Sequence, residues 1–202
     1  MKSLRFAQSV VLLLLSTVAF AQSGAQESSV APVPSEAQKA FATMKSLAGE
    51  WAGPITTDMS EAMKAKMGGT KLNPMHVSLR VTSRGNALVH ELQEAGTPLD
   101  ATKYDHPITM FYVDGDQLTL VHYCDAGNRP RMTGKTSPDG KTVEFEFVDV
   151  TGNNQNQHMH HALFTIIDAD HHTEDWTFMS GDQPIHAHFD LRRKSRGASS
   201  LW

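Results

Sequence analysis

From Met75 onward, apolar and polar residues alternate with a period of two in short runs, each bounded by Gly, Asn or Asp. His76 to Thr82 and Ala87 to Gln93 flank Arg84-Gly85-Asn86, and Ile108 to Val113 and Gln117 to Cys124 flank Asp114-Gly115-Asp116. Arg131 to Thr136 and Thr142 to Asp149 flank Pro138-Asp139-Gly140. His158 to Ile167 and Thr173 to Met179 flank Asp168-Ala169-Asp170, and Ile185 to Arg192 follows Ser180-Gly181-Asp182. A period of two is that of a strand with one buried face, and the intervening residues are those tight turns need. Short connections make neighbours antiparallel, and so long a series leaves exposed edges unless it closes on itself. The pattern therefore predicts an all-β fold, an antiparallel up-and-down β-barrel of about eight to ten strands.

Upstream the period changes. Ser35 followed by Glu36 caps a helix with Phe41, Met44 and Leu47 along one face, placed across the mouth or bottom of the barrel. Gly49-Glu50-Trp51-Ala52-Gly53 then opens a strand from Glu50 to Thr56, with a Trp large enough to plug one barrel end. Ser60 to Met67 reads as a short helix stopped by Gly68-Gly69, with Met59, Met63 and Met67 on a core-facing side. The first 21 residues have the form of a secretory signal: Lys2 and Arg5, an apolar run from Val10 to Leu15, then Ala19-Phe20-Ala21. That run is shorter than the roughly 20 residues a membrane span needs. Residues 22–35 are a flexible spacer, 36–194 the barrel domain, and 195–202 a loose tail. An exported, periplasmic or extracellular protein is expected.

Net charge supports that picture. The chain carries −4, and loss of Lys2 and Arg5 with the leader gives −6, since no acid precedes Ala21. A mildly acidic surface argues against nucleic-acid partners and anionic membranes. Cys124 is the only cysteine, so the barrel is stabilised by its core rather than by an internal disulfide.

The chemistry is concentrated in eleven histidines. Alternation places His90 on the face of Leu88 and Leu92, and His122 on that of Leu118, Leu120 and Cys124. It places His161 with Met159 and Leu163, and His172 with Trp176 and Phe178. These four are the inward set and the candidates for a transition metal, aided by Glu91 or Glu174. His186 and His188 face solvent beside Asp190, and the direction of His158 and His160 flips if a bulge lies near Gln157. A His-x-His pair on a strand puts two rings on one face about 7 Å apart, a spacing that suits two ligands of one ion. Cys124, two residues from His122, is a nucleophile only if its pKa is lowered, and otherwise a structural thiol. Arg131 either anchors a ligand carboxylate inside the barrel or pairs with Glu144 or Glu146.

The helix, the Gly-Glu-Trp-Ala-Gly strand and the meander resemble the calycin-type barrels, which include lipocalins, fatty-acid-binding proteins and nitrobindins. The block from His122 to Met132 (His-Tyr-Cys-Asp-Ala-Gly-Asn-Arg-Pro-Arg-Met) and the segment Val81 to Val89 resemble a group of uncharacterised bacterial secreted proteins. The calycin resemblance implies a central cavity and a small apolar or amphipathic ligand. Its nitrobindin branch implies haem held by a late histidine, where His172, His186 and His188 fall. Taken together, the expected function is ligand binding with His90, His122, Tyr123, Arg131 and Trp176 lining or orienting the ligand. A haem- or metal-dependent enzyme or sensor using inward histidines is the alternative, and a filled structural barrel the third reading.

Overall fold

The computed structural model describes residues 33–66 and 72–195. The leader, the spacer up to Pro32, Met67, the Gly68-Gly69 stop and the tail from residue 196 lie outside the described residues. Helix α1 (Glu36–Ser46) is followed by β1 (Gly49–Gly53), β2 (Ile55–Thr57), α2 (Glu61–Lys66) and β3 (Met75–Thr82). Then come β4 (Ala87–Glu94), β5 (Ile108–Asp114), β6 (Gln117–Tyr123), β7 (Asn128–Thr136) and β8 (Thr142–Gly152). The series ends with β9 (Gln157–Asp168), β10 (His171–Ser180) and β11 (Gln183–Arg193).

Each of β3 to β11 pairs antiparallel with the next, and β1 joins β3 to β11. The first predicted strand is thus real but broken at Pro54, whose missing N–H interrupts the ladder. Its two pieces follow β11 in turn, Ala52 opposite Arg192 and Ile55 opposite Phe189, and act as one stave. Ten staves close, at the upper end of the expected range. Gly53 is required at the seam, because a Cβ there would lie 1.7 Å from the Asp190 carbonyl oxygen. The expected Arg84-Gly85-Asn86 turn is a single 3-10 turn over Ser83–Gly85, with Ser83 and Arg84 both at positive φ.

Helix α1 is fixed by a reciprocal cap: Ser35 Oγ accepts from Gln38 N–H, and Gln38 Oε1 accepts from Ser35 N–H. Its buried face, Phe41 and Met44 with Leu47 just beyond, covers one barrel end over β5 to β8. Trp51 plugs the same region, fully buried, donating from Nε1 to the Leu47 carbonyl at 2.8 Å. The Arg193 guanidinium stacks 4.0 Å from its ring centre. Between these plugs and the middle of the barrel, Leu88, Phe111, Leu118, Leu120, Met132, Phe145, Phe164 and Leu191 form a continuous apolar core. Towards the opposite end the packing loosens: Phe147, Met159 and Phe178 are only half-buried.

Candidate functional site

The middle of the barrel carries a polar cluster assembled by register. His90, Thr109 and His122 lie opposite one another across β4, β5 and β6. Strands are about 4.8 Å apart, so the two histidine backbones stand roughly 10 Å apart with a short threonine between them. Across the interior, β10 supplies His172, Glu174 and Trp176, three inward positions at a spacing of two. Trp176 lies against both facing imidazoles, at 5.8 Å from His90 and 5.7 Å from His122 between ring centres.

Glu174 is completely buried and organises the cluster. Its Oε2 accepts from His90 Nε2 and from Trp176 Nε1, each at 3.0 Å, while Oε1 accepts from His172 Nε2 at 3.0 Å. Burial pushes its carboxyl up, but the charge of His90 and the bonds from His172 and His90 outweigh that and hold it below the ordinary carboxylate range. An isolated carboxylate costs several kcal/mol to bury, and the three ring N–H donors converging on Glu174 offset that penalty. His122 is pulled down to about 3, by burial and then by His90, and is therefore neutral. Its Nδ1 lies 2.8 Å from Thr109 Oγ1.

Three ring nitrogens in this cluster are buried with no partner among the described residues: His90 Nδ1, His122 Nε2 and His172 Nδ1. Each unmet polar group costs about 1–3 kcal/mol, which is large against the stability of a single domain.

The structure thus brings together His90, His122, His172 and Trp176 from the expected set, with Glu174 as the common partner of His90, His172 and Trp176 and Thr109 as that of His122. Glu174 was legible only as a possible metal-side acid, although its spacing of two from both His172 and Trp176 places it on their inward face.

Three expected residues fall elsewhere. His161 faces outward, because β9 carries a bulge: its partner on β10 steps from His161 opposite Thr177 to Met159 opposite Phe178, skipping His160. Met159 joins the core, Ala162 and Phe164 point inward, and His161 bonds Glu144 at 3.0 Å on the outer wall. His158 and His160 meet over Phe147, their rings 4.6 and 4.7 Å from it. Arg131 also faces out, since Pro130 and Met132 take the inward positions. It forms a two-pronged pair with Asp149, at 3.2 and 2.5 Å, rather than with Glu144 or Glu146. Tyr123 is exposed and lines a cleft of about 460 Å³ beneath the long β4–β5 connection, with Tyr104, Ile108, Asp105, Cys124 and Asp125. In that cleft Asp105 is pushed up to about 6 by burial and by Asp125, and burial raises the Cys124 thiol. A raised thiol is a poor nucleophile, so Cys124 has a structural rather than a catalytic environment.

Metal and haem can be tested on the same geometry. Among the described residues, the triplets of potential ligands converging within 4.8 Å are Asp105/Cys124/Asp125 and Glu144/Glu146/His161. The inward histidines form no such triplet. Nor do the late histidines fit a porphyrin inside the barrel. His172 is enclosed, its Nε2 held by Glu174 and its ring 4.2 Å from that of Trp51. His186 and His188 are on the outer wall, beside Asp58 and paired to Asp175 respectively.

No protein-family model and no curated protein matches the chain. Solved structures do. The crystal structure of Rv2717c from M. tuberculosis is similar at a TM-score of 0.52 and 15% identity, over 77% of this chain and 98% of that one. A protein of unknown function from the DUF3598 family of Nostoc punctiforme matches at a TM-score of 0.38 and 10% identity. That match covers 75% of this chain and 48% of the other. At such identities the likeness to Rv2717c shows the barrel fold alone.

Proposed function

We propose that this protein is an exported barrel of calycin type that binds a small, largely apolar molecule in its interior, against His90 and His122 beside Trp176. The carrying observation is the set of buried, unpartnered imidazole nitrogens facing an interior that is apolar apart from their own polar cluster. A filled structural barrel gains nothing from such groups, and apolar residues of equal size would pack there at lower cost. A ligand with one polar group recovers hydrogen bonds that the empty barrel leaves unmade. The half-buried Phe147, Met159 and Phe178 mark the end by which it enters, opposite α1. Because the free nitrogens are enclosed, the ligand displaces side chains rather than occupying a standing void. Tyr123 and Arg131, on the outer wall, take no part. The acidic surface and the leader fit a periplasmic or extracellular carrier of small molecules with no nucleic-acid partner.

Native mass spectrometry of the protein recovered from an exporting host tests the proposal. A stoichiometric organic mass that is lost in His122→Phe, with the fold retained, supports it. A bare mass together with no perturbation of Trp176 emission by any apolar probe leaves the filled barrel as the better reading.

A further inference from the structure

The hydrogen-bond polarity of the cluster specifies what kind of polar group the ligand carries. This rests on the interior site proposed above. The Thr109 side chain is buried, and its only hydrogen-bond partner among the described residues is His122 Nδ1. A hydroxyl hydrogen enclosed in that position needs an acceptor, and His122 Nδ1 is the one within reach. Thr109 therefore donates to Nδ1, and the ring proton of the neutral His122 resides on Nε2. The free atom of His122 is then an N–H donor, 3% exposure leaving it no water to serve.

A donor in that position discriminates between ligand classes. It repels an ammonium group and offers no lone pair to a metal ion. Anions are disfavoured for a different reason. Glu174 already places one carboxylate charge in this interior, bonded to the indole that packs against His122. A second buried anion beside it would add like-charge repulsion to the cost of leaving water. We propose that the site selects an uncharged molecule whose carbonyl or hydroxyl oxygen accepts the Nε2–H of His122. Its apolar remainder then lies along Trp176 towards Phe178.

Two measurements on the folded protein test this. The tautomer is read directly from nitrogen-15 chemical shifts of the histidine rings: Nε2–H is expected for His122, and a mixture of tautomers in Thr109→Val. Binding is read from tryptophan emission on titration with 2-octanone, octanoate and octylamine, with Trp176→Phe as the control for the site. The ketone is expected to bind about tenfold or more tightly than either charged analogue, the effect of one unmet buried donor or charge. Thr109→Val is expected to weaken ketone binding severalfold while sparing the fold. An Nδ1–H tautomer in the native protein, or octanoate or octylamine binding as tightly as the ketone, overturns the inference and leaves the binding function intact. If none of the three binds, the binding function itself fails and the inference falls with it.

Discussion

Replacing His122 by Gln isolates what a neutral, enclosed imidazole costs the barrel in acid. Gln keeps the volume roughly constant and can still accept from Thr109 through its amide oxygen, but it does not titrate. In the native protein burial holds His122 at about 3 against an ordinary 6.5. Between those values the unfolded chain binds a proton that the folded barrel excludes, so stability rises with pH across the window. The contribution is fully present above 6.5 and is lost as the pH falls towards 3. Over the whole window the lost stability is about 5 kcal/mol, at roughly 1.4 kcal/mol per unit. At about pH 4.5 it is roughly 2–3 kcal/mol, enough to move a urea midpoint by about 1–2 M. Urea unfolding of both proteins at pH 7 and pH 4.5 measures it. The native protein should lose that much more stability than His122→Gln between the two conditions. Equal losses would show that His122 is accessible to protons in the folded state, and the enclosed site described above would be wrong.

Three further outcomes follow from the same geometry. Glu174→Gln leaves two imidazoles and an indole facing one carbonyl oxygen, and should cost about 3–5 kcal/mol at neutral pH by thermal or urea unfolding. Because its carboxyl is held below the usual range, Glu174 contributes stability above its ordinary value of 4.5 and loses it at lower pH; the variant should lack that acid limb. Gly53→Ala drives a methyl into the Asp190 carbonyl and should open the β1–β11 seam, seen in hydrogen exchange as loss of protection of the Asp190 and Lys194 amides, which donate to the Pro54 and Glu50 carbonyls across it. Arg131→Ala should leave both unfolding midpoint and ligand binding unchanged, since its ion pair with Asp149 is on the outer wall; a binding defect would return Arg131 to the site.

The barrel was legible because period-two alternation and turn residues are local signals, and nearly every predicted strand appears with its expected neighbour. Inward placement of His90, His122 and His172 followed from the same rule, which is reliable wherever a strand pairs without interruption. His161 shows where the rule stops: one bulged residue at His160 reverses every assignment on one side of it, and nothing in the local sequence marks the bulge. Arg131 is a related case. Its face follows from Pro130 and Met132, but its partner depends on the register of β8, which sets Asp149 opposite Arg131. Glu174 was named only as an acid that could aid a metal, and its place at the centre of the cluster was not legible. A glutamate between a histidine and a tryptophan resembles any strand residue until the closed barrel brings β4 across to meet it, and that contact spans 84 residues of sequence. Long-range charge compensation has no local signature.

The most direct test of the central claim is a crystal structure of the protein purified from an exporting host without exposure to detergent or organic solvent. Density for an organic molecule within hydrogen-bond distance of His122 Nε2 and against Trp176 is the predicted result. A closed interior with the imidazole nitrogens still unpaired, or bridged only by a water molecule, would contradict it.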